Sequence, residues 1–191
     1  GWGYQWSTNK HGKERNTDTD FSFTNYREAD TRLAEYDRIG TKVDSILQQL
    51  PESEKAGFYQ LLYYPVKGCE YLNKMVLYGQ KNRWYALQGR AATDSIAKEA
   101  KACYDSLQII TQGYNSLLNG KWNPVMTTRQ GFAASYFELP KLLDVSLPAA
   151  ASLGVLTEGE DVLRGKSSIR TLPAFNTYFR QSYYFDLFNK G

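Results

Sequence analysis

Through the middle of the chain, apolar positions recur at helical spacing. Ala29, Leu33, Tyr36, Gly40, Val43, Leu47 and Leu50 alternate steps of four and three, the stripe of a long amphipathic helix. Asn25 with Glu28 three residues on resembles a capping box, and Pro51 closes the far end, so a first helix is expected over residues 25–49. Next, Phe58, Leu62, Pro65, Cys69, Leu72, Val76 and Gly79 form one stripe, with Leu61, Tyr64, Gly68, Tyr71, Met75 and Tyr78 beside it. A helix apolar over so wide an arc belongs in the middle of a bundle. Pro65 lacks an N–H and is expected to kink this element or divide it after Tyr64, and the polar run Gly79–Arg83 to interrupt it again. A third stripe runs through Ala92, Ile96, Cys103, Leu107, Ile110, Tyr114 and Leu117 to a glycine cap at Asn119–Gly120.

Outside this stretch the grammar differs. Residues 1–24 read as an aperiodic lead-in that docks by isolated aromatics, Phe21 and Phe23 among them. Residues 121–191 carry Pro124, Pro140, Pro148 and Pro173 and hold no helical period for long. Short strands are expected at 152–157 and 183–188. Two such strands are unstable alone, so they either open a β domain continuing past Gly191 or join a small sheet lying on the helices. The fold class expected is mainly α, an antiparallel helical bundle (25–120) with a short C-terminal β/loop extension (121–191).

Composition places the chain among globular domains: 191 residues, 42% hydrophobic and 23% charged. With 23 Lys+Arg against 20 Asp+Glu and no long basic cluster, a nucleic-acid partner is not expected. No apolar run approaches the roughly 18 residues of a membrane span, because Lys67, Glu70 and Lys74 break the longest candidate, so no membrane partner is expected either. The first residue is Gly rather than Met and no signal-type segment follows, which reads as a piece cut from a longer polypeptide. Cys69 and Cys103 fall on helical stripes as small buried free thiols.

There are 15 Tyr, 9 Phe and 4 Trp but one His, and that residue, His11, lies in the lead-in. A nucleophile–His–acid triad, a zinc spacing, a Walker loop and a dinucleotide fingerprint all lack their carriers. No catalytic residue, metal ligand or cofactor is therefore assigned. Paired carboxylates would suffice for glycoside hydrolysis, but Glu28, Asp30, Glu35, Asp37, Asp94, Glu99 and Asp105 read as solvated helix faces. Tyr64, Tyr71 and Tyr78, seven apart, read as a core or interface stripe in preference to a sugar platform. Lys81, Asn82, Arg83, Gln88 and Arg90 gather donors at one helix junction, fit to cap carbonyls, bind a neighbouring domain or reach an anion. Trp122 leads out of the bundle, to anchor the linker or line a cleft. The ligand or interdomain candidates are Arg83, Arg90, Lys121, Trp122 and Asn123.

Four motifs now stand in order: residues 21–29 (FSFTNYREA), Phe58–Leu61 through Tyr64-Pro65-Val66, residues 81–90 (KNRWYALQGR), and Gly120-Lys121-Trp122-Asn123. Their order and spacing resemble the helical region of glycoside hydrolase family 115, the xylan α-glucuronidases. Leu172-Pro173-Ala174-Phe175 and residues 184–191 (YFDLFNKG) are similar to that family's entry into its C-terminal β domain. One departure is plain: many members follow Lys-Trp-Asn with a His-Met-Met-Asp-like stretch, where Pro124-Val125-Met126-Thr127-Thr128 stands here. The resemblance implies a secreted or periplasmic parent enzyme whose catalytic carboxylates lie in a barrel upstream, outside this chain. It implies for this segment a non-catalytic scaffolding role, packed against the barrel and the β domain, with a homodimer and a xylan-type glycan as further partners. The alternatives are a carbohydrate-binding module using exposed Tyr and Trp, or a stand-alone helical interaction domain.

Overall fold

A computed structural model describes residues 18–24, 26–127, 138–158, 172, 174–179 and 182–191. His11, Asn25, Pro173 and most of the lead-in lie outside the described residues. The elements in chain order are α1 (Glu28–Gln49), α2 (Glu52–Phe58), a π-helical segment (Tyr59–Tyr63), α3 (Tyr64–Gln88), α4 (Thr93–Gly120), β1 (Leu153–Thr157) and β2 (Phe185–Asn189). The chain is mainly helical, and α3 packs antiparallel between α1 and α4. Leu33 of α1 meets Leu77 of α3, while Val76 meets Cys103 of α4. That central position accounts for the double apolar stripe of α3.

α1 begins at Glu28, three residues later than expected. Its Ncap, Arg27, is left-handed with φ 51° and provides no side-chain cap. Glu28 instead accepts the backbone N–H of Ser22 at 2.9 Å, tying the lead-in to the helix start. Phe21 and Phe23 pack on the Ala29–Leu33–Leu77 cluster, and Phe23 stacks on Trp84 with centroids 5.6 Å apart. At the far end Leu50 is extended ahead of Pro51, as the steric clash with a proline ring requires.

One expected interruption, at Gly79–Arg83, is absent, and the other takes the form of a π-helical turn. Pro65 does not divide the second rod: the Tyr64 N–H bonds back to the Tyr59 carbonyl in the i→i−5 pattern, and the π segment carries the helix across the missing donor. The run Gly79–Arg83 is continuous helix because its polar side chains find internal partners. At the end of α4, Leu117, Leu118 and Asn119 leave helical geometry, Leu118 and Asn119 with φ of 52° and 60°, before Gly120 at φ 78°. The regular helix therefore stops at Ser116, earlier than the Asn119–Gly120 cap suggested.

Burial corrects three side-chain readings. Lys67, Glu70 and Lys74, which break the apolar run in sequence, are all buried. Glu70 sits between the two ammonium groups at 2.6 Å from each, with its carboxylate against Gly40 of α1. Asp30, Asp37 and Asp44, spaced by seven on α1, pair with Lys81, Lys74 and Lys67, spaced by seven on α3. The acidic face of α1 is thus an interhelical ladder, with Asp30 and Asp37 enlisted rather than merely solvated. Of the two free cysteines, Cys103 is buried and Cys69 is exposed.

β1 and β2 pair antiparallel, with Val155 opposite Leu187, each strand within about two residues of its expected limits. The two-stranded sheet seats on the corner between α3 and α4, where the Ala91 N–H bonds the Asn189 carbonyl at 2.9 Å. Gly154 lets the Phe188 ring lie flat across β1, since a Cβ there would overlap that ring.

Candidate functional site

The five candidates fall at opposite ends of the α3–α4 hairpin. Arg83 and Arg90 lie at the end where the two helices join, and Lys121, Trp122 and Asn123 follow the other end of α4. The regular part of α4, residues 93–116, rises about 1.5 Å per residue, so on the order of 35 Å separates the two groups. They do not form one site.

At the joined end, α3 presents a polar seam to chain segments arriving from both sides. Gln80 accepts from the backbone N–H and hydroxyl of Thr19, both at 2.8 Å. Asn82, fully buried, accepts the Leu143 N–H at 2.8 Å and donates to the carbonyls of Leu143 and Thr93 at 3.0 and 3.1 Å. Arg83 donates to the Lys141 carbonyl at 2.7 Å and pairs with Asp18. Leu139 packs on Met75–Val76–Cys103, and Pro140 lies over Gly79, whose missing side chain makes the room. The donor cluster therefore clamps residues 18–19 and 138–143 onto the bundle.

Arg90 forms a second clasp. Only 5% exposed, its guanidinium lies 3.8 Å from the Phe188 ring centroid, 4.5 Å from Tyr85 and 5.1 Å from Trp84. It pairs with Asp186 of β2 at 2.6 Å and donates to Gln88. A planar cation suits this cage because it stacks on rings while donating in plane. Its Nη2 and the Gln88 Nε2 are buried without an acceptor.

At the other end, the Lys121 ammonium sits 5.0 Å over the Trp122 ring, and the Asn123 N–H bonds the Gly120 carbonyl. Asn115 brackets Met126 by two hydrogen bonds, and the Trp122 indole N–H is buried without an acceptor. A cavity of about 700 Å³ opens beside this turn between Leu47, Tyr59 and Leu118. Tyr59 donates to the Ile110 carbonyl at 3.0 Å, and burial followed by the neighbouring Tyr64 and Tyr71 pushes its hydroxyl up to about 12.

A further groove, of about 570 Å³, lies where the lead-in meets α1, lined by Phe21, Tyr26, Glu28, Arg32, Glu35 and Tyr36 among others. Periodicity did not reveal it, because Phe21 and Tyr26 precede the helix. Among the described residues there is no group of His, Cys, Asp and Glu arranged to hold a metal, and no helix is long and apolar enough to cross a membrane.

No protein-family profile matches the chain, and no curated protein sequence matches it. Among solved structures, a family GH115 4-O-methyl-α-glucuronidase, described as specific for decorated arabinogalactans, is similar in fold. The TM-score is 0.54 and the identity 24% over 75% of this chain. The chain spans 19% of that protein's length. At this identity the likeness establishes fold alone.

Proposed function

We propose that the chain is a non-catalytic helical module of a multidomain glycoside hydrolase resembling the α-glucuronidases, with scaffolding as its work. The observation that carries this reading is the fold likeness, which takes in three quarters of this chain but a fifth of the enzyme it resembles. The motif order from Phe21 to Asn123 supports it independently.

The site geometry supports a connector role. Asn82, Arg83 and Arg90 are spent on holding chain segments to the bundle. The outer face of the sheet leaves Leu153, Val155, Phe185 and Leu187 exposed together, a surface suited to a packed β layer of the same polypeptide. The partners proposed are accordingly a catalytic barrel and a C-terminal β domain, with a second copy of the chain and a xylan-type glycan as further ones. Its place is periplasmic or extracellular, where such polysaccharides are met.

The test is an assay of the 191-residue chain on glucuronoxylan and on glucuronate-decorated arabinogalactan. No glucuronic acid should be released, and robust turnover that survives repurification would sink the scaffolding role.

A further inference from the structure

We infer that the groove beside the start of α1 is a binding site for a neutral saccharide chain. This deepens the glycoside hydrolase reading and rests on it for the choice of ligand, while the groove itself is argued from its own residues.

Tyr26 and Arg27 are consecutive non-glycine residues in the left-handed region, with φ of 55° and 51°. Such residues are strained, and strain persists where the surroundings hold it for a purpose. The result here is that Tyr26 stands 87% exposed at the groove mouth, where packing of its ring offsets little of that strain. Phe21 and Tyr36 provide two further rings lower in the groove, fixed by Arg32, whose guanidinium lies 4.7 Å from one centroid and 5.2 Å from the other. Arg32 also donates to the Tyr36 hydroxyl and to Asn73, both at 3.2 Å. The rings are therefore held in place before any ligand arrives, which lowers the ordering cost of binding.

The polar groups decide the ligand class. Glu28 and Glu35 line the same groove, and the cation among its described lining residues, Arg32, is already committed to two rings and two acceptors. Each carboxylate keeps an Oε1, because Oε2 takes the Ser22 N–H in Glu28 and the Arg38 guanidinium in Glu35. The exposed Tyr26 face with flanking carboxylate acceptors suits the apolar C–H face and hydroxyl edge of an uncharged sugar ring. Along the described lining a uronate would meet two carboxylates and a guanidinium that is already stacked and hydrogen-bonded. The groove thus fits the neutral backbone of a polysaccharide and disfavours its acidic branch. A lysine-rich peptide is the competing occupant that two carboxylates and aromatic rings would also attract.

The experiment is calorimetric titration of the 191-residue chain with xylohexaose, a β-galactan hexasaccharide, glucuronic acid and an oligolysine peptide. Saturable millimolar or tighter binding of a neutral hexasaccharide is expected, with glucuronic acid inert. Tyr26→Ala, at an exposed position, should weaken binding about tenfold while its urea midpoint stays that of the unaltered chain. Binding of neither hexasaccharide at millimolar concentration, unchanged affinity in Tyr26→Ala, or preference for oligolysine overturns the proposal. Those outcomes leave the scaffolding role standing, whereas turnover by the chain would remove that role and leave a measured saccharide affinity intact.

Discussion

Gly40 is where α1 and α3 crowd each other most, because the Glu70 carboxylate occupies the space a side chain at that position would need. Alanine is the better helix former by about 1 kcal/mol, but overpacking a filled interface costs about 1–3 kcal/mol. Here the displaced group is also the carboxylate shared by Lys67 and Lys74. Gly40→Ala is expected to lower stability by about 1–2 kcal/mol net, read from urea midpoints; a raised midpoint would mean Glu70 swings aside freely. The two thiols differ as sharply. Burial pushes Cys103 up to about 11, against the opposing pull of Lys74, while Cys69 lies exposed on the outer face of α3. Under native conditions near neutral pH, iodoacetamide should therefore modify Cys69 and leave Cys103 unlabelled until urea is added, as peptide mass mapping would report. Equal labelling of both would contradict the packed α3–α4 interface.

The pairing of α1 with α3 shows what could and could not be read in advance. Leu33, Val43, Leu107 and Ile110 reveal helices because burial on one face imposes the 3.6-residue period. The period says nothing of charge partners, so Lys67 and Lys74 looked like interruptions, although the seven-residue spacing of three aspartates and three lysines was present to be matched. Pro65 misled for another reason: the rule that proline breaks a helix covers i→i−4 bonding, and a π segment supplies a different bond. The donors of residues 81–90 stand out in the sequence, but their partners, Asp18, Leu143 and Asp186, lie too far along the chain for local pattern to find. Two outcomes belong to this scale. A double-mutant cycle on Asp37 and Lys74 should give a coupling of about 1 kcal/mol, modest because the aspartate is mostly solvated. Arg90→Lys removes the planar fork from the Phe188–Tyr85–Trp84 cage, and hydrogen exchange at the Ala91 and Lys190 amides should quicken about tenfold or more while mid-helix amides of α4 hold. Uniform quickening across the bundle would mean that Arg90 supports the whole fold rather than the sheet.

Across the whole molecule, protonation ties these interfaces to one pH window. Cys103 between α3 and α4 rises from 9.0 to about 11, chiefly by burial. Tyr59, under α4, rises from 10.0 to about 12, again chiefly by burial. At Lys67 burial pulls the ammonium down, but hydrogen bonds to Glu70 and Asp44 outweigh it and the net direction is up. In all three the folded state holds its proton more tightly than the unfolded chain, so unfolding releases protons throughout the window and stability must fall as pH rises. The contribution is complete below pH 9.0, begins to fade as the unfolded thiol ionises, and continues to fade through about 12 as tyrosine follows. Urea midpoints measured in steps from neutral pH upward should therefore hold level to about pH 9.0 and then decline. Cys103→Ala should shift the whole curve by its packing loss and flatten its first segment, between 9.0 and about 11, since the thiol no longer contributes there. A midpoint that stays level or climbs across that interval in the unaltered chain would mean that the α3–α4 and α1–α3 interfaces admit water freely, against the burial on which the scaffold reading depends.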